Sequence, residues 1–172
     1  MTEIDLHELS PQLAKYHGEM QRRLGDRERR HIGVVDHRTI RRYAVAIGDP
    51  NPLYHDAEAA RAAGYADIIA PPNMLAGVVD WGPGLMEAEM NPDGTPGSHS
   101  AEGLRVMGAG EEMEILHPLV AGTEVYDDEV VDSVVVKQGR SGVLLFVTTL
   151  HEFSDDSGKV LNRNRRTILV RP

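Results

Sequence analysis

The chain has 172 residues, 41% apolar and 26% charged, which suits one soluble core of ordinary size and is too apolar for a disordered polymer. Its formal charge of −9, from 27 acidic and 18 basic residues, repels a phosphate backbone, so no nucleic-acid partner is expected. Cysteine is absent, which removes disulfides, thiolate nucleophiles and sulfur-ligated metals. With an acidic N-terminus and no run of about 18 apolar residues, a cytoplasmic protein without a membrane partner is expected.

Leu6, Leu9, Leu13, Tyr16, Met20 and Leu24 recur at spacings of three and four and predict an amphipathic helix. Ser10 and Pro11 form an N-cap and first helical position, so the helix begins either there or at Leu6. His31–Val35 reads as a short strand. Asp36 then caps a helix with the apolar stripe Ile40, Tyr43, Ala44 and Ile47, stopped by Gly48. Two prolines between Asp49 and Asp56 force an irregular loop, and Ala57–Ala63 forms a short helix ended by Gly64. Pro71 and Pro72 open a second helix running through Asn73, Met74, Leu75 and Val79, apolar nearly all round and therefore expected to be buried.

Residues 81–110 hold seven glycines and three prolines and predict a long loop. Beyond them, Glu111–Leu116, Glu124–Val136, Val143–Phe153 and Val160–Val170 are rich in β-branched residues and separated by turn signals at Ala121-Gly122, Gln138–Gly142 and Asp155–Gly158. They read as an antiparallel meander within an α+β plan.

The candidate chemistry lies in the proline-braced loop. Asp49 and His55, with Asn51 and Tyr54 between them, place two titratable groups on one stiff segment, the requirement for an acid/base pair. The competing reading of the same residues is a capping Asp49 and a surface His55.

The run Ala46–Asp56, followed by Ile68–Pro72, resembles the N-terminal MaoC-type dehydratases, which are related to R-specific enoyl-CoA hydratases. Asn91–Pro96, Met107–Glu114, His117-Pro118-Leu119 with Gly122, and Gly139–Gly142 extend the likeness over roughly residues 28–171. The resemblance implies a hot-dog fold, in which a long antiparallel β-sheet wraps a central buried helix, here Pro71–Trp81. It divides the chain into an N-terminal helical extension, 1–27, and a single hot-dog domain, 28–172. The implied activity is a hydratase or dehydratase that adds or removes water at the 2,3 bond of an acyl-CoA or acyl-carrier-protein thioester, without metal or redox cofactor. It also implies pairing with a second hot-dog unit, as a homodimer or heterodimer.

Carried onto this chain, the resemblance assigns catalysis to Asp49 and support to Asn51. The histidine of the active pattern stands five residues after the aspartate, where this chain has Tyr54, and His55 follows one residue later. Pro71 and Pro72 replace a His-Gly pair and lack amide hydrogens, so an oxyanion donor falls to Asn73 or Met74. These departures keep two readings open: an enzyme using Asp49 with His55 or Tyr54, and a catalytically weak acyl-binding subunit beside a catalytic partner. Other thioester chemistry on the same fold, such as hydrolysis, is a third.

Trp81 and Met86, with Leu85, Met90 and Met107, either line a tunnel for the acyl group or pack on the sheet. Arg163, Arg165, Arg166 and Arg171 form a basic cluster suited either to a CoA or carrier phosphate or to solvent. His99, His117 and His151 lack metal-ligand spacing and are assigned no chemistry.

Overall fold

The structure is a computed structural model that describes residues 9–78, 103–140 and 142–172. Helix α1, Pro11–Arg22, begins where the Ser10 hydroxyl accepts the Leu13 amide at 3.3 Å. It stops at Arg23, so Leu24 leaves the expected stripe, bridges to Val131 and stays 45% exposed. Strand β1, Arg27–Val35, starts earlier than its apolar residues suggest. Its basic residues face an acidic neighbour: Arg29 donates to Asp128 at 2.9 Å and Arg30 to Asp127 at 2.5 Å.

Helix α2, His37–Ala46, is capped by Asp36, whose carboxylate accepts both the amide and the hydroxyl of Thr39 at 2.7 Å. Ile40 and Ala44 are fully buried, whereas Ile47 sits at the C-cap and is 52% exposed, because the helix ends before it can turn inward. Gly48 follows with φ +70°, a left-handed conformation that glycine adopts without a Cβ clash. Helix α3, Ala57–Ala62, is capped by Asp56.

The buried helix starts later than expected. Pro71 and Pro72 make a turn in which the Met74 amide donates to the Pro71 carbonyl at 3.0 Å, and α4 covers Met74–Val78. Met74, Leu75 and Ala76 are buried, as its composition requires. Gly77 lets α4 approach α2, since a Cβ there would lie 3.3 Å from Tyr43 Cε2. Val79 to Trp81 of the expected central helix, and Met86, lie outside the described residues.

Strands β2 (Arg105–Ile115), β3 (Thr123–Gly139), β4 (Gly142–Asp155) and β5 (Val160–Arg171) join β1 in one antiparallel sheet of order β1-β3-β4-β5-β2. Of the four strands expected to form the meander, β3, β4 and β5 do so, whereas β2 pairs with β5 at the far edge and β1 takes the place beside β3. Residues 105–110, expected to be loop, are strand: β5 supplies their hydrogen-bonding partners, and a register shift between Gly108 and Gly110 absorbs the glycines.

Alternation along β4 puts Phe153, His151, Val147 and Leu145 on one face. Phe153 belongs to a cluster with Ile40, Tyr54, Ile68, Met74 and Leu161. Val147 and Leu145 belong to a second, beneath Leu13 of α1. Between them runs a polar belt in which buried Asp127 is held by Arg30 and by His151, whose Nδ1 lies 3.1 Å from it. Each buried Leu or Ile contributes roughly 1.5–3 kcal/mol, so both clusters matter to stability.

Candidate functional site

The loop after α2 is built from its own hydrogen bonds. The Asp49 amide donates back to the Ala44 carbonyl at 2.9 Å, and its carboxylate accepts the Asn51 amide at 3.0 Å. Asn51 in turn accepts the Leu53 amide at 3.1 Å and starts a single 3-10 turn, Pro52–Tyr54. The His55 ring then folds back, Nε2 donating to the Asp49 backbone carbonyl at 2.9 Å, and the Arg41 guanidinium donates to the His55 carbonyl at 3.0 Å.

This arrangement sorts the loop residues onto two sides. Asp49 and His55, with Ala44, Gly48, Pro50 and Pro52, line an open concavity of about 540 Å³. Tyr54 is 7% exposed and points the other way, into a smaller pocket of about 100 Å³ with Ile69, Pro71, Pro72, Leu75, Ile115, His117, Leu119 and Asn162. Asp49 and His55 thus share a space, but the histidine bonds the aspartate's main chain and not its carboxylate. Tyr54, in the sequence position of the active pattern's histidine, does not share that space.

Asn73 is exposed and lines neither cavity. The Met74 side chain is buried and its amide is taken by Pro71. Met107 lies on β2, 39% exposed. The basic cluster is largely matched by acids: Arg163 with Glu114 and Glu152, Arg165 with Asp132, Arg166 with Glu111. Hydrogen bonds to Glu152 and Glu114 hold the Arg163 guanidinium above its ordinary range. Three of the four arginines therefore already carry counter-charges, which weakens the phosphate reading.

Among the described residues, Asp127, Glu129 and His151 are close enough to offer three ligand atoms to one cation, within 4.8 Å of one another. Arg30 already occupies that position, at 2.5 Å from Asp127 and 3.3 Å from Glu129. The donor set is neutralised by a guanidinium and does not fit a metal centre.

Asn162 is missed in the sequence, and His117, part of the family likeness, is assigned no chemistry there. For Asn162 a signal existed: it stands at a core-facing position of β5, opposite Phe153 and Ile115, where an apolar residue is expected.

Residues 27–163 match a family described as the FAS1-like dehydratase domain region. The chain belongs to that family, and it shares the hot-dog fold of two solved MaoC-like dehydratases, at TM-scores of 0.65 and 0.58. It is 36% identical over 135 residues to a UPF0336 protein of Parafrankia sp., covering 77% of this chain and 80% of that one. A probable enoyl-CoA hydratase alpha subunit of Thermomonospora curvata is 34% identical over 143 residues, covering 77% of this chain and 44% of the longer relative. Among solved structures, the ChsH1-ChsH2 complex of Mycobacterium tuberculosis superposes with TM-score 0.69 at 24% identity, over 90% of this chain and 88% of that one, a likeness of fold. Among the described residues, no helix is long and apolar enough to cross a membrane.

Proposed function

We propose that this chain is the acyl-thioester-binding subunit of a hydratase or dehydratase and works beside a second hot-dog chain that supplies the acid/base pair. The observation that carries this reading is the loop's internal bonding. A general base needs its carboxylate or imidazole free to take a proton from a water near the substrate. Here Asp49 Oδ1 braces the Asn51 amide and the His55 ring is anchored through Nε2 to the Asp49 backbone carbonyl instead of its carboxylate, so the two side chains are not joined as an acid/base pair. Tyr54, at the expected histidine position, is buried and carries a phenol, which suits hydrogen bonding better than proton abstraction. The subunit naming of the Thermomonospora relative and the two-protein complex of the Mycobacterium structure agree with a paired assembly for those proteins.

In this reading the acyl thioester, on CoA or a carrier protein, enters between the two hot-dog units. Asn51 holds the loop, and Asn73, exposed beside the head of α4, contacts the thioester arm. Met74 shapes the wall from behind. Trp81 and Met86 are assigned to the acyl tunnel on their sequence positions.

A second reading is favoured by one observation: Asp49 and His55 open onto the same concavity of about 540 Å³. In it the chain is a hydratase by itself. Crotonyl-CoA hydration, followed by loss of enoyl absorbance, separates the two. The subunit reading expects no turnover by the chain alone and turnover on addition of a catalytic hot-dog partner. Turnover by the chain alone that Asp49→Asn abolishes would refute it.

A further inference from the structure

The side chain of Asn162 is 2% exposed, and its carboxamide oxygen has no partner among the described residues. Such an oxygen, desolvated and unmatched, costs about 1–3 kcal/mol unless something donates to it. Asn162 lies opposite Ile115 in the β2–β5 ladder, so the two side chains share a face, and both line the small pocket beside Pro71 and Pro72. Among the described residues, the remaining wall is apolar apart from buried Tyr54 and the exposed His117 at the rim.

We propose that Asn162 is a specificity-determining residue: with Tyr54 it holds the hydroxyl of a short 3-hydroxyacyl thioester in this pocket. The inference rests on the acyl-thioester reading above and refines it. A hydroxyl donates one hydrogen bond and accepts others, so it satisfies the Asn162 oxygen while taking a bond from the Tyr54 phenol. A saturated or enoyl chain has no donor at that position and leaves the oxygen unmatched. A volume of about 100 Å³ admits a few chain atoms and excludes the pantetheine arm, which places the acyl end there. Loss of a donor that a buried acceptor requires is discriminated strongly.

The test is equilibrium binding of 3-hydroxybutyryl-CoA, butyryl-CoA and crotonyl-CoA to the full chain in the assembly in which it purifies. The hydroxy compound is expected to bind roughly tenfold tighter than butyryl-CoA, the factor that about 1.4 kcal/mol confers. Asn162→Leu, similar in size and without the oxygen, is expected to erase that preference and leave butyryl-CoA affinity and Tm unchanged or improved. Tyr54→Phe is expected to reduce the preference in part. A preference that survives Asn162→Leu, or an equal loss for all three ligands, overturns the proposal. If Asn162→Leu does not fold, Tyr54→Phe decides, and an undiminished preference there overturns it. Failure of all three ligands to bind removes the acyl-thioester reading itself, a result distinct from binding without preference.

Discussion

The His55 imidazole donates from Nε2 to the backbone carbonyl of Asp49 at 2.9 Å, while the Asp49 carboxylate accepts the amide of Asn51 at 3.0 Å. Both side chains therefore brace the loop. Asn at position 49 keeps an acceptor oxygen for the Asn51 amide. In the assembled complex, Asp49→Asn is expected to lower kcat by less than about threefold, whereas loss of a true acid/base group costs about 100-fold or more. A steady-state assay of the reconstituted pair with crotonyl-CoA reads the difference, and a hundredfold drop would move the chemistry onto this chain.

Asp127 is fully buried between Arg30 and His151, and it ties β1 and β4 to β3. Removing one partner of a buried pair leaves the other uncompensated. Asp127→Ala is expected to destabilise the fold by about 3 kcal/mol, toward the lower end of that class because Arg30 keeps 30% of its side chain exposed. Asp127→Asn, which still accepts hydrogen bonds, should lose less. Urea denaturation measures both.

Three carboxylates have their pKa held below the ordinary range: Asp36 by the backbone and side chain of Thr39, Asp67 by the Ile68 amide and His37, and Asp155 by the Ser157 hydroxyl and nearby amides. A depressed folded-state pKa stabilises the protein above the unfolded value, near pH 4, and that contribution is lost as pH falls through the folded value. Tm is therefore expected to fall with acidification below about pH 4. Replacing all three by Asn should flatten that acid limb while changing Tm at pH 7 in the opposite sense, downward. A triple variant with an unaltered acid slope would refute this account.

Leu13 is fully buried against Val131, Leu145, Val147 and Val170, so α1 contributes to a core cluster of the sheet. We propose that the extension, residues 1–27, covers a hot-dog domain, residues 28–172, that keeps its own strand order. Leu13→Ala should cost about 3 kcal/mol by lost burial and the cavity left behind. Far-UV circular dichroism should retain its strand signal. Loss of that signal would make the helix integral to the sheet.

Much of the local plan was legible in the sequence because it depends on neighbours a few residues away. Ser10 and Pro11 start α1, Asp36 caps α2, Gly48 ends it, and the β-branched runs mark β3, β4 and β5. The same local rules misplaced Leu24 and Ile47, since a periodic stripe does not say where the helix stops. They also assigned Arg105 to Gly110 to a loop, because glycine content outweighed a pairing with β5 more than fifty residues away.

By itself the sequence determined the family resemblance, the helix caps, the strands of the meander and the loop that carries Asp49, Asn51, Tyr54 and His55. The tertiary structure decided which way those loop side chains face: Tyr54 inward against Ile69 and Leu75, His55 outward with Asp49. It also decided that Asn162 is buried with an oxygen unmatched among the described residues, and that Arg163, Arg165 and Arg166 of β5 are met by acids of β2, β3 and β4. The physical reason is distance along the chain. Caps and periodicity are settled within one or two turns, whereas a side chain's direction on an irregular loop, and its partners across a sheet, depend on residues that only folding brings together.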